Sequence, residues 1–269
     1  MPEGPEVATF AKDLHDLLIG EKIQSIEYDS EFSHFKNLYH ITKKLTIEKV
    51  YAHGKKIVFV FTNGSFLLSF LGLEGSWFKS KDDVELNNLI LFKMQVKDFY
   101  LCYKDTRHFG SIEYILNYES LQQRLDKGID IMNEENTIEN WHCIIKEAIK
   151  RHRKPLQICE FLLEQRYILG IGNYLRAEIL YAAGVNPFKT INELSPSEIE
   201  LLCEHSFIEM QRALNGRGAS LRTYKDFSGN AGSYKTRIYG HSIAPNGFPI
   251  VRMKDRNNRT IWFCPEACL

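Results

Sequence analysis

Between residues 6 and 18 the apolar positions are 7, 10, 11, 14, 17 and 18, the spacing of one helix face, and Gly20 follows as a natural stop. An amphipathic helix therefore opens the chain. The pattern then turns to β, with apolar runs at 47–52, 57–61 and 66–71 and further runs near 89–96, 98–103 and 111–116. Asn63-Gly64, between two of these runs, is a hairpin signal in which both turn residues are expected at positive φ. The runs are continuous rather than alternating, as expected where both faces of a strand are covered. Residues 1–118 thus read as an N-terminal helix plus a β-sandwich. The stretch 119–140 is polar and acidic (Asp126, Asp130, Glu134, Glu135, Glu139) and reads as a linker. Beyond it the period is helical over 141–151, 156–169, 174–183 and 196–214, and the chain ends in a hairpin turning around 255–259. The fold class is α+β and multidomain, and no internal repeat is present.

A chain of 269 residues is long enough for two domains, and 44% hydrophobic with 25% charged residues is an ordinary globular composition. No run approaches the roughly 18 apolar residues of a membrane helix. The start Met1-Pro2-Glu3-Gly4-Pro5-Glu6 places acids where a secretory signal has basic and then apolar residues, so an intracellular location is expected. Six cysteines, at 102, 143, 159, 203, 264 and 268, are too sparse for a disulfide framework and fit a reducing compartment. The formal net charge of zero conceals a split. Residues 212–269 hold ten Lys/Arg against Asp226, Asp255 and Glu266. A basic C-terminal region rich in Gly, Asn and aromatics fits a polyanion, most often nucleic acid, or else a plain solvated face.

Three constellations carry chemistry. Pro2 is small enough for the initiator Met to be removed, which leaves a secondary amine. An α-amino group with an ordinary pKa near 8 is roughly one-tenth neutral at pH 7, so it is a usable nucleophile. Attack on a sugar C1′ gives an iminium directly, with Glu3 alongside to move protons; equally, Pro and Glu are ordinary choices at a helix N-terminus. Gly170-Ile171-Gly172-Asn173 between two helices suits a backbone phosphate, or is simply a tight turn. In the third, 104–110, a cation and an aromatic two residues apart at a strand end either enter a duplex and fill the gap left by an extruded base, or form an ordinary loop.

Taken together, these pieces resemble the Fpg/Nei family of DNA glycosylase/AP lyases, in its endonuclease VIII-like branch. The resemblance runs along nearly the whole chain through Pro2-Glu3, His53-Gly54-Lys55, Leu71-Gly72-Leu73-Glu74-Gly75, Asp105 to Gly110, Ile158-Cys159-Glu160 to Gln165, and Gly170-Ile171-Gly172-Asn173 to Glu178. It implies that Pro2 is the Schiff-base nucleophile, Glu3 the acid/base, and Lys55 a catalytic lysine reaching a phosphate, with Lys56 adjoining it in register. It also implies that Leu73, Arg107 and Phe109 fill the void left by the flipped nucleotide and that Glu6 supports the lesion pocket. Gly170, Gly172, Asn173 and Arg259 would contact DNA. The implied architecture is a catalytic β-sandwich domain (1–118), a helix-two-turns-helix domain (141–233) and a finger hairpin (234–269). The implied partner is damaged DNA, duplex or single-stranded, handled by a monomer with no membrane contact.

Departures from the family pattern cluster near the C-terminus. Most relatives carry a four-cysteine zinc finger, but here the first Cys-x-x-Cys pair is missing, and Cys264 and Cys268 have only His241 as a nearby further donor. A zincless finger is expected, with 248–251 pairing with 260–263, Arg259 at its turn and hydrophobic packing through Trp262 in place of metal; no cofactor is expected. Glu74-Gly75 and Phe70 differ from the commoner Ser-Gly with an upstream His. The segment 216–239, with Arg217, Arg222 and Tyr224, corresponds to the part that closes over the damaged base. The implied activity is excision of oxidised pyrimidines, formamidopyrimidines and hydantoins with β,δ-elimination. The competing readings are a lesion-binding protein without catalysis and a sequence-specific DNA-binding module.

Overall fold

The computed structural model describes residues 2–41, 45–132, 135–220 and 224–268. The chain forms two compact units, Met1–Leu125 with Leu221–Gly232, and Asp126–Ser220 with Ser233–Leu269. The first begins with α1 (Gly4–Leu18), started by Pro5 in the first turn and by a reciprocal cap between Glu3 and Glu6. Its buried face is Val7, Phe10, Ala11, Leu14 and Leu18, as the spacing predicts.

The strands that follow are β1 (Ile23–Tyr28), β2 (Phe35–Lys36), β3 (Ile47–His53), β4 (Lys56–Phe61), β5 (Phe66–Phe70), β6 (Ser76–Ser80), β7 (Ile90–Val96), β8 (Phe99–Lys104) and β9 (Ser111–Ile115), before α2 (Tyr118–Arg124). They make two sheets, ordered β1-β7-β8-β6 and β2-β9-β5-β4-β3, antiparallel except for β2 on β9. One core takes Ile57, Phe59, Phe61 and Leu67 together with the inner faces of the other sheet and of α1. The alternate residues Val58, Phe66 and Leu68 enter a second core with Leu121 of α2 and Leu125. Both faces of β4 and β5 are thus covered, which is why their apolar runs are unbroken. Trp77 sits at the centre of the first core, 5.4 Å from the Phe59 ring and 5.2 Å from that of Tyr103, with Nε1 donating to Ser69 Oγ at 3.1 Å.

The β4–β5 connection differs from the expected two-residue turn. Gly64 has φ +80°, Asn63 does not share the left-handed region, and Gly64 N–H donates to Phe61 O at 2.9 Å. This is the three-residue hairpin in which glycine alone takes positive φ. Asn63 instead uses its side-chain oxygen to accept from Ser65 N–H and Oγ.

The second unit contains α3 (Ile138–Arg151), α4 (Ile158–Phe161), α5 (Asn173–Ala182), α6 (Pro196–Asn215) and the hairpin of β10 (Val251–Lys254) and β11 (Thr260–Phe263). Thr137 and Ser195 cap α3 and α6. The helix expected over 156–169 shrinks to the single turn of α4. Beyond it, Gly128 and Ile129 N–H bond to the carbonyls of Gln165 and Tyr167, and Leu169 N–H to that of Ile129, so tertiary pairing replaces the helical ladder. The C-terminal strand also lies three residues later than expected, at 251–254 against 260–263. Pro249 has no N–H to give a ladder, and 244–249 closes on itself through Ala244 N–H to Phe248 O.

The domain boundaries shift accordingly. The expected linker 119–140 holds α2 and the start of α3, and Leu121, Leu125 and Ile131 are buried; Glu134 lies outside the described residues. Residues 224–232 belong with the first unit through Tyr224, whose ring meets Phe10 edge-on at 6.0 Å. The hairpin is not a separate domain but shares a core with Ala177 of α5 through Ile238, Ala244 and Cys264. Trp77→Ala is expected to cost about 3–5 kcal/mol, read as a lowered urea midpoint by circular dichroism.

Candidate functional site

In the first unit Pro2 lies on the wall of a cavity of about 300 Å³ that it shares with Phe10, Leu73, Glu74, Thr106 and Tyr224. Glu3 and Glu6 are 2% and 1% exposed. Glu6 Oε2 accepts the Glu3 N–H at 2.8 Å, while the Glu3 carboxylate accepts from the Glu6 backbone. Glu6 therefore fixes the start of the helix. Lys55 occupies the two-residue turn between β3 and β4, where His53 pairs with Lys56 and Gly54 takes φ +55°. Its neighbour Lys56 lies in β4, where its Nζ donates to Arg124 O at 2.7 Å.

Leu73 and the pair Arg107 and Phe109 come from two turns that touch. A Cβ on Gly72 (φ +62°) would stand 2.6 Å from the Gly110 nitrogen and the Phe109 carbonyl carbon, so only glycine allows the approach. Behind them stands Tyr103, its hydroxyl against Gly75 and Gly110, where added Cβ atoms would lie at 2.3 and 1.8 Å. Asp105, fully buried, accepts from Arg107 N–H at 3.1 Å and Gly110 N–H at 2.7 Å and so shapes the second turn. The Arg107 guanidinium lies 5.3 Å from the centre of the exposed Phe109 ring. Sequence reading did not single out Tyr103, because a strand aromatic looks like core, and it took Asp105 only as the start of a motif, with no role in holding the turn.

In the second unit the turn before α5 is held by Gln165. Its Oε1 accepts from Gly170 N–H at 2.8 Å and its Nε2 donates to Ile171 O at 3.0 Å, with Gly170 at φ +83° and Gly172 as the N-cap of α5. Asn173 turns its amide toward the hairpin: Nδ2 donates to Thr260 O at 3.1 Å, and Oδ1 accepts from Arg176. Arg176 has no exposed surface and donates to Cys159 O at 3.1 Å and Asp255 Oδ2 at 2.8 Å. Asp255 Oδ1 in turn accepts from Asn257 and Arg259 N–H, which closes the hairpin turn and leaves the Arg259 side chain exposed. Asp255 was not anticipated, and Arg176 figured only as part of a motif, with no role, although a guanidinium inside the apolar run 174–183 was the available signal. Arg222 lies outside the described residues.

The donors at the hairpin do not fit a structural zinc. Cys264, 1% exposed, faces Asn246 at 3.7 Å, Cys268 Sγ donates to Cys264 O at 3.4 Å, and no group of three His, Cys, Asp or Glu among the described residues could hold a metal ion. The hairpin instead packs Trp262 on Tyr239, ring centres 4.4 Å apart.

This is the fold of DNA glycosylases with a β-rich N-terminal domain and a helix-two-turns-helix domain. Residues 1–112 match the formamidopyrimidine-DNA glycosylase N-terminal domain, and residues 132–225 match the formamidopyrimidine-DNA glycosylase H2TH domain. The chain belongs to the formamidopyrimidine-DNA glycosylase family. A protein of that name from Lactococcus lactis subsp. lactis (strain IL1403) is 31% identical over 246 residues, 89% of this chain and 88% of the relative. The structure of a Lactococcus lactis Fpg with abasic-site DNA superposes with TM-score 0.85 at 27% identity, covering 99% of each chain. MutM from Thermus thermophilus shares the fold, with TM-score 0.87 at 22% identity over 99% of this chain and 98% of that one.

Burial by itself raises the Asp255 carboxyl, but the Arg176 hydrogen bond, the Arg259 N–H and the Arg176 charge outweigh it and hold the group below its ordinary value of 3.8. A carboxyl so lowered stabilises the fold fully above that value and loses the contribution as pH falls through the folded value. Acidification below about pH 4 is therefore expected to release the hairpin, read as hydrogen exchange of amides 251–263, and Asp255→Asn to flatten that dependence. Arg176→Met is expected to cost about 3–5 kcal/mol, because it leaves Asp255 buried and unpaired.

Proposed function

We propose that this chain is a bifunctional DNA glycosylase/AP lyase acting on oxidised bases in damaged DNA. The observation that carries the reading is Pro2 on the wall of a cavity whose rim is the Leu73 turn, itself in contact with the turn of Arg107 and Phe109. The Pro2 amine attacks C1′ of the flipped nucleotide, and the base leaves with the glycosidic electron pair and a proton. Glu3 moves the proton that lets O4′ leave, opening the sugar to an iminium. Loss of a C2′ proton then expels the 3′ phosphate, and a second elimination expels the 5′ phosphate. Lys55, at its hairpin tip, serves a phosphate beside the lesion, and Leu73, Arg107 and Phe109 fill the vacated stack. In the second unit, Gly170, Gly172 and Arg259 meet backbone phosphates, with Asn173 holding the hairpin that presents Arg259.

The endonuclease VIII-like preference for oxidised pyrimidines, formamidopyrimidines and hydantoins rests on the N-terminal motif, on Leu73 and on a hairpin whose donors do not suit zinc. No helix of the described residues is long and apolar enough to cross a membrane. Borohydride trapping on an oligonucleotide with one abasic site is expected to give a covalent complex with the Met-processed protein and none with Pro2 acetylated. Glu3→Gln is expected to slow excision of an oxidised base by about 10²–10⁴-fold. A protein that binds abasic DNA but is never trapped would be a lesion-binding protein instead.

A further inference from the structure

Glu74 stands at the junction of the two turns. Its Oε2 accepts from Thr106 Oγ1 at 2.6 Å and its Oε1 lies 4.0 Å from Nη1 of Arg107, whose guanidinium also rests on Phe109. The carboxylate is thus aimed by one side chain of the second turn onto another. A guanidinium offers donors only. The Watson–Crick edge of cytosine presents two adjacent acceptors, O2 and N3, which suit a fork of N–H groups. Adenine, guanine and thymine place a donor beside an acceptor. A carboxylate beside the guanidinium, at ion-pair distance, draws on its charge and supplies within reach the acceptor that these three bases need.

We propose that Glu74 is a specificity-determining positioning residue: by holding Arg107 it widens the range of bases tolerated opposite the lesion and reduces the advantage of cytosine. The inference rests on the proposed function, since it takes Arg107 to face the orphaned base. Thr106 is the second member of the device, because without its hydroxyl the carboxylate loses its aim.

The test uses four duplexes carrying one abasic site opposite A, C, G or T, with cleavage by the full chain. Each rate is divided by the same variant's rate on the single-stranded abasic oligonucleotide, which has no opposite base. Glu74→Ala is expected to raise the cytosine rate relative to the other three by about two- to fivefold, the size appropriate to an exposed ion pair. Thr106→Val is expected to move it the same way by less. Glu74→Gln, which keeps a hydrogen-bond acceptor for Thr106 but loses the charge, is expected to fall between wild type and Glu74→Ala. A cytosine share that does not move in Glu74→Ala, or four normalised rates that change by one common factor, overturns the assignment and makes Glu74 a surface charge. Absence of cleavage by the wild type would instead overturn the proposed function itself.

Discussion

Strands β4 and β5 have no solvent face, and the first unit is arranged around that constraint. The side chains of Ile57, Phe59 and Leu67 require cover on one side, and those of Val58, Phe66 and Leu68 on the other. The second sheet and α1 provide the first cover and α2 the second. Once the sheet is enclosed, its ends are the positions left for chemistry. The turn entering β4 carries Lys55, the turn leaving β5 carries Leu73 and Glu74, and β8, whose Tyr103 hydroxyl donates across the sandwich to Phe70 O at 3.4 Å, runs into the turn of Arg107 and Phe109.

The second unit solves a different problem, that of holding a short two-stranded hairpin, which is marginal alone in water. Metal ligation is the usual staple for small elements of this kind. Here a charge that cannot reach water takes that part. Arg176, enclosed in α5, must find acceptors, and they come from Cys159, Asn173, Thr260 and Asp255. Two of these belong to the hairpin, so the cost of burying the guanidinium is offset only when the hairpin is in place. Cys264 packs beside Ala177 and Ile238 and against Asn246.

Much of this was legible in sequence where a rule of periodicity or turn chemistry acts locally. The face of α1, the unbroken strands β4 and β5, and the break at Gly170 all follow from neighbours in the chain. What was not legible depended on partners far away in sequence. The stretch 156–169 has helical spacing, but its carbonyls are claimed by Gly128 and Ile129. Pro2, Glu3 and Lys55 stood in motifs that carry a chemical reading, whereas Gln165 and Arg176, although inside motifs, and Tyr103 act by holding something else and showed no role in the sequence. Of Lys55 and Lys56, the β3–β4 pairing places the first in the turn and the second in the strand.

The contact at Gly72 has a mechanical consequence. With the two turns abutting backbone to backbone and a tyrosine hydroxyl wedged behind them, Leu73, Arg107 and Phe109 share one foundation. On the proposed function they would act as a single tooth and not as three separate fingers. A tooth on one foundation adapts little to the DNA it is proposed to enter, so the yielding would fall to that partner. Stacks already loosened by damage yield most readily, and selectivity for a weakened site can begin in the compliance of the opposing material before any atom of it is recognised.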